Sequence, residues 1–93
     1  MIVFVMACAG PQPRIEGARV GPSPVPGHVR VGGTLINDGG EGTVEIDLAL
    51  HGAARLQADE TIDVPAHTTI DLAIDVAAPP GEYTVDAVAK YPN

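Results

Sequence analysis

Strict alternation of apolar and polar residues in two stretches constrains the fold of this 93-residue chain more than any other feature. The first stretch, residues 43–51, places on one side Val44, Ile46, Leu48 and Leu50. The second, residues 69–76, places on one side Ile70, Leu72, Ile74 and Val76. A period of two is that of a β-strand buried on one face. The alternation therefore predicts two strands that supply the centre of a hydrophobic core.

Shorter stretches separated by turn signals extend the pattern along the chain. They cover residues 15–20, 28–36, 55–58, 61–64 and 83–91. Asn37–Gly42 is rich in glycine, which adopts positive φ at little steric cost, so this segment predicts a hairpin between 28–36 and 43–51. In the last stretch the residues predicted to face inward are Tyr83, Val85, Ala87, Ala89 and Tyr91, with Val88 as an exception. Six or seven such strands predict a small antiparallel β-sandwich, because one sheet alone would leave its apolar face wet.

Two segments resemble bacterial immunoglobulin-like modules of the CARDB type and their fibronectin-type-III-like relatives. Val31–Gly39 is similar to the strand of that family that ends in an Asn-x-Gly turn, and Pro79–Val85 is similar to the opening of a late strand. The resemblance covers residues 15–91 and implies an immunoglobulin-like β-sandwich. It also implies a tyrosine corner, in which the Tyr83 hydroxyl bonds to the backbone. The chain departs from the pattern because it has no tryptophan and no cysteine pair.

The N-terminal segment resembles the lipobox of bacterial lipoproteins. Its residues are Val5, Met6, Ala7 and Cys8, the last being the only cysteine of the chain. The resemblance implies diacylglyceryl transfer to the Cys8 sulfur, cleavage after Ala7 and acylation of the new amino group. It divides the chain into a signal remnant, residues 1–7, a lipid anchor and Pro/Gly tether, residues 8–14, and a folded domain, residues 15–93. The protein is then exported and held on a membrane by lipid, on the periplasmic side or at the cell surface.

The same segment leaves a second interpretation open. No basic residue precedes Arg14, whereas a secretory signal normally begins with a charged region. Either Met1 is an internal residue of a longer signal, or the segment is a buried first strand with Cys8 in the core, since free cysteine is often buried. A transmembrane anchor does not fit, because the apolar run Ile2–Ala9 is far shorter than the roughly 20 residues of a spanning helix.

The charge of the chain excludes two classes of partner. Twelve acidic residues against five basic ones give a net charge of −7. Nucleic-acid binding needs clustered lysine and arginine to displace counterions, and a polybasic membrane patch needs the same. The sequence therefore predicts no nucleic-acid partner, and it predicts that any membrane contact is made through the lipid.

Several acidic residues occupy polar positions of the predicted strands. They are Glu45, Asp47, Asp63, Asp71, Asp75 and Asp86. We interpret them as a solvated surface, because carboxylates spread along flat strands converge poorly on the six to eight oxygens that calcium requires. The loop Asn37–Glu41 is a better calcium candidate, yet it lacks the alternating ligands of an EF-hand and is adequately explained as a turn. We predict no metal and no cofactor.

The sequence contains no recognisable catalytic arrangement. The histidines His28, His51 and His67 come from separate strand ends or turns and lack a short ligand spacing. Ser23 lies between two prolines rather than in a nucleophile elbow. We therefore predict that the protein is not an enzyme. Two functions stay open: a lipid-anchored binding or adhesion module that contacts a protein or glycan, and a structural accessory subunit of a larger envelope complex that docks by β-addition.

Overall fold

The computed structural model describes residues 10–91, which form six β-strands in two antiparallel sheets. The strands are β1 (Pro13–Pro22), β2 (His28–Asn37), β3 (Gly42–Gly52), β4 (Leu56–Val64), β5 (Thr68–Ala77) and β6 (Tyr83–Lys90). Sheet A has the strand order β1-β2-β5, and sheet B has the order β4-β3-β6. The predicted all-β antiparallel sandwich is confirmed, with six strands in the described part of the chain.

The core lies between the inner faces of the two sheets. Sheet A contributes Val31, Leu35, Leu72 and Val76, and sheet B contributes Val44, Ile46, Leu48, Leu50 and Val64. The inward faces predicted from the alternation in β3 and β5 are those observed. However, the central strand of sheet A is β2 rather than β5. Leu35 of β2 is fully buried, whereas Leu72 of the edge strand β5 keeps 8% of its surface exposed.

The predicted hairpin between β2 and β3 is wrong. The two strands belong to different sheets, so the turn after Asn37 carries the chain across the sandwich. Both strands have a mostly apolar inner face, with Asn37 as the buried polar residue of β2. Packing the faces against each other buries both. The true hairpins are β1–β2 and β3–β4, whose strands pair antiparallel within one sheet.

The segments 55–58 and 61–64, predicted as two short strands, form the single strand β4. Its register with β3 runs without a break from Gly42 opposite Val64 to Leu50 opposite Leu56. Within it Asp59 pairs with Asp47 and Glu60 pairs with Ile46. The two acidic residues therefore do not interrupt the ladder, because an edge strand leaves both side chains in solvent.

The first strand begins at Pro13, two residues before the predicted start, and the residues ahead of it pack on the domain. The N–H of Asp38 donates to the carbonyl of Gln12 at 3.2 Å, and the N–H of Gly40 donates to the carbonyl of Gly10 at 3.1 Å. Pro11 is buried, and its ring lies so close to Gly42 that a Cβ there would approach it to 2.9 Å. Residues 10–13, assigned from the sequence to the tether, are thus part of the folded surface.

The two long sides of the sandwich differ. On one side β1 packs against β6, and this side is called the closed side. The other side is bounded by β4 and β5, the remaining edge strands of the two sheets, and is called the open side. β1 carries a bulge between Glu16 and Arg19, where Gly17 has a φ of 66°.

Candidate functional site

The acidic residues that the sequence analysis interprets as a solvated surface lie on two opposite faces of the sandwich. Glu45, Asp47, Asp63 and Asp86 lie on the outer face of sheet B, while Asp71 and Asp75 lie on the outer face of sheet A. The register places Asp71 opposite Thr34 and Asp75 opposite Arg30 in sheet A. The alternation within each strand correctly predicted that these side chains point outward. It does not predict which of the two sheets a strand belongs to.

Negative charge is concentrated on the open side of the sandwich. The strands β4 and β5 contain five carboxylates and neither lysine nor arginine: Asp59, Glu60, Asp63, Asp71 and Asp75. The strands β1 and β6 of the closed side mix both signs: Arg14, Glu16, Arg19, Asp86 and Lys90. The open side therefore carries an electrostatic potential that attracts cations and cationic partners. Asp59 and Glu60 were missed as members of this surface because the sequence placed them between two strands.

One carboxylate of the open side is neutralised within the fold. The Arg30 guanidinium donates from Nε and Nη2 to the two oxygens of Asp75 at 2.9 and 3.0 Å. The Ser23 hydroxyl donates to the same carboxylate at 2.8 Å. These hydrogen bonds, that of Arg30 first, lower the pKa of Asp75 to about 2. Ser23, which the sequence left without a role, also accepts a bond from the N–H of Val25 and so shapes the β1–β2 loop.

Three carboxylates on the outer face of sheet B approach one another closely. Oxygens of Glu45, Asp47 and Asp59 lie within 4.8 Å of each other. The Lys90 ammonium lies 2.8 Å from Oδ2 of Asp47 and 4.0 Å from Oε1 of Glu45. Its hydrogen bond to Asp47 and the attraction of both carboxylates raise the pKa of Lys90. The ion pairs of Lys90 with Asp47 and Glu45 explain the close approach of these two carboxylates, since a cation between them offsets their repulsion.

The turn that begins at Asn37, weighed from the sequence as a calcium loop, is a hydrogen-bonded structural unit. The buried Asn37 side chain accepts bonds from the N–H groups of Gln12 and Gly39 at 2.9 and 3.0 Å. Its amide donates to the carbonyls of Gly40 and Pro65 at 2.9 and 2.8 Å. All four bonds go to the backbone, so the side chain of Asn37 ties β1, the β2–β3 turn and the end of β4 together.

The histidines lie on three different elements. Nδ1 of His28 lies 2.9 Å from the carbonyl oxygen of Pro26, and Nε2 of His51 lies 3.6 Å from Oδ2 of Asp86. His67 occupies the β4–β5 turn with a φ of 50°. None of the three belongs to a group of metal-binding side chains within residues 10–91.

Tyr83 makes the backbone bond that the resemblance implied. Its hydroxyl donates to the carbonyl of Pro79 at 2.7 Å. The bond spans four residues and anchors the start of β6 to the preceding loop. Tyr91, predicted to face inward, is instead 41% exposed because β6 ends at Lys90. Val88 is 57% exposed, in agreement with its prediction as the exception in this strand.

The lipobox falls outside the described residues. Cys8 and the signal remnant, residues 1–7, precede Gly10, so lipidation stays a prediction from the sequence. Within residues 10–91 there is no helix with the length and apolar character needed to cross a membrane.

Comparison with known proteins identifies no relative. No protein family, no curated protein and no solved structure matches this chain.

Proposed function

We propose that this chain is a non-catalytic binding or adhesion module that contacts a protein or glycan and is held on a membrane by lipid on Cys8. The observation that carries the proposal is the open side, where two edge strands hold five carboxylates, of which Asp75 alone is paired with an arginine, Arg30 of β2. Sheet edges present unpaired N–H and C=O groups. A surface of this kind recognises partners through backbone hydrogen bonds and charge rather than through a deep cavity.

The lipid anchor rests on the sequence Val5-Met6-Ala7-Cys8. Two or more acyl chains make a stable anchor, since each buried methylene contributes about 0.8 kcal/mol. The module would then face the periplasm or the exterior, where partners of the cell envelope are available.

A structural accessory subunit of an envelope complex is the second candidate. It is favoured by the outer edges of β4 and β5, which no other strand within residues 10–91 pairs, because a membrane-embedded partner could add a strand to one of them. The two candidates differ in stoichiometry. An accessory subunit stays with its complex after detergent extraction, whereas a free module elutes alone and binds its partner reversibly.

The test is intact-mass measurement and size-exclusion chromatography of the full chain extracted from its native membrane in mild detergent. We expect a chain that begins at Cys8 with the added mass of diacylglyceryl and acyl groups. The matched control is Cys8→Ser, which should leave the membrane fraction. An unmodified chain that retains Met1 would refute the anchor. Failure of the detergent-extracted chain to bind any envelope protein or glycan would refute the binding function.

A further inference from the structure

The four edge strands of the sandwich are not equally protected against strand addition. β1 carries the bulge at Gly17 and has a proline at each end. β6 packs against β1 of the other sheet and ends in Lys90. β4 carries Glu60. Glu60 pairs with the buried Ile46 and therefore occupies an inner-face position. Charges at inner-face positions, bulges, prolines and lysines are the devices that protect sheet edges. Along Thr68–Ala77, β5 has no proline, lysine, bulge or inner-face charge, and its two charged residues, Asp71 and Asp75, lie on the outer face.

The register identifies which backbone groups of β5 are left unpaired by the strands of residues 10–91. The N–H of Ala78 donates to the carbonyl of Gly27 at 3.0 Å, which extends the ladder in which Ala77 pairs with His28. Hydrogen-bonded pairs alternate with non-hydrogen-bonded pairs in an antiparallel ladder. Even-numbered residues of β5 therefore bond to β2. Odd-numbered residues direct N–H and C=O away from it, and those in the strand are Thr69, Asp71, Ala73, Asp75 and Ala77.

The side chains beside this edge of β5 are apolar on the inner face and acidic on the outer face. Ile70 and Ile74 face inward and are only partly buried, so an added strand with apolar residues on that face would cover them. On the outer face Asp71 is exposed. The carboxylates of the neighbouring β4 add negative charge on the same side. The edge thus matches a strand that alternates apolar and cationic residues.

We propose that the free edge of β5 binds an extended cationic segment of a protein partner by β-addition. Its apolar residues lie beside Ile70 and Ile74, and its lysines or arginines lie on the side of Asp71. The inference rests on the proposed binding function and names the edge and the chemistry of the partner. A second copy of this chain is disfavoured as the occupant, because each copy carries a charge of −7 and would bring its own carboxylates to the contact.

The probe is a fluorescein-labelled seven-residue peptide of alternating lysine and valine, titrated with the full chain and followed by anisotropy. The control peptide has the same composition but groups its lysines at one end, so that it keeps the charge and loses the alternation. We expect saturable binding of the alternating peptide that is at least tenfold tighter than binding of the control. Raising salt from about 0.05 M to about 0.5 M should weaken it, because exposed charges are screened.

Two proline variants separate edge binding from general attraction. Ala73→Pro removes an outward N–H of β5. Thr61→Pro does the same on β4. The N–H of Ala53 donates to the carbonyl of Glu82, so odd-numbered residues of β3 bond to β6 and even-numbered ones bond to β4; Thr61, opposite the odd-numbered Glu45, therefore directs its N–H outward. Proline is tolerated where an edge N–H faces solvent, so both variants should fold, which circular dichroism checks. We expect Ala73→Pro to weaken peptide binding about tenfold, the effect of a lost hydrogen bond, and Thr61→Pro to leave it unchanged.

A charge variant keeps the proposal testable if the proline variants unfold. Asp71→Lys should make the chain bind a peptide of alternating glutamate and valine more tightly than the peptide of alternating lysine and valine. The control Asp86→Lys, on β6, should still bind the lysine peptide more tightly. Equal binding of the two lysine peptides, or insensitivity to both Ala73→Pro and Asp71→Lys, would overturn the proposal. Dimerisation of the free chain that Ala73→Pro abolishes would identify a second copy as the occupant and also overturn it. The binding function itself would survive if native envelope partners still bound the Ala73→Pro chain.

Discussion

Arg30 and Asp75 are direct partners across the ladder of β2 and β5, and their side chains form a two-point ion pair on the outer face of sheet A. The Asp75 side chain keeps 25% of its surface exposed, and Ser23 supplies a third hydrogen bond. The pair fixes the edge strand β5 to the central strand of its sheet. It also leaves Asp71 as the exposed carboxylate of this strand.

The ion pair predicts a loss of stability in acid. The pKa of Asp75 is lowered from 3.8 to about 2 in the folded chain, so the carboxylate contributes stability above pH 3.8 and loses it as the pH falls toward 2. In urea melts at several values from about pH 5 to about pH 2, the wild type and Asp75→Asn should differ most at the higher pH and converge at the lower. Asp71→Asn is the matched control and should keep the acid response of the wild type. A constant difference between wild type and Asp75→Asn across this range would contradict the prediction.

Asn37→Ala should be among the most destabilising polar substitutions. It removes an amide that satisfies four backbone groups at the meeting point of β1, the β2–β3 turn and β4. A buried group left without a partner costs about 1–3 kcal/mol, so a loss of about 3 kcal/mol in the free energy of unfolding is expected. Asn37→Asp keeps both acceptor bonds and loses both donor bonds, and it should also be destabilising. Urea melts measure both, and a loss below about 1 kcal/mol would show that water replaces the amide.

Truncating a core side chain should lower the free energy of unfolding more on a central strand than on an edge strand. Leu48→Ala on the central strand β3 should cost about 2–5 kcal/mol, because the side chain is almost fully enclosed. Leu72→Ala on the edge strand β5 should fall near the lower end of that range, because its site is 8% exposed and collapses more easily. Asp71→Ser, a surface change on the same strand as Leu72, should change stability by no more than about 0.5 kcal/mol. A neutral Leu48→Ala in denaturant melts would mean that the register of β3 is wrong.

Gly52→Ala should destabilise the chain, while Gly21→Ala should not. A Cβ on Gly52 would lie 1.9 Å from the carbonyl oxygen of Glu82, a backbone atom that moves only if the start of β6 moves. A Cβ on Gly21 would have no atom within 4 Å outside its immediate neighbours. Thermal melts of the two variants test this contrast, in which a lowered melting temperature is expected for Gly52→Ala alone. Equal melting temperatures would show that the loop before β6 can shift at little cost.

Much of the fold could be predicted from periodicity because burial of one strand face leaves a direct trace in the sequence. Leu48 and Leu72 were assigned inward on this ground, and both are buried. The partner of each strand could not be predicted in this way. The glycine-rich turn after Asn37 is compatible with a hairpin and with a crossing between sheets, and the buried bonds of Asn37 to Gln12 and Pro65 are long-range contacts that no local pattern reveals.

The candidate site was predicted only in part for the same reason. Asp71 and Asp63 were recognised as outward-facing, but their gathering on one side depends on β4 and β5 being edge strands. Asp59 was overlooked because two adjacent acidic residues suggest a break between strands. Because β4 is an edge strand, the side chains of Asp59 and Glu60 are both exposed to solvent while their backbone stays paired with β3.

If Cys8 carries lipid as proposed, the hydrogen bonds of Gly10 and Gln12 to the β2–β3 turn limit the distance between the domain and the bilayer. One residue, Ala9, separates Cys8 from Gly10. At about 3.3–3.6 Å for each extended residue, lipid on Cys8 would hold Gly10 within about 7 Å of the lipidated residue. The end of the sandwich that carries the β2–β3 turn would then lie next to the membrane, with almost no flexible linker between them. Its open side would face sideways along the membrane, toward neighbours in the same bilayer rather than toward distant surfaces.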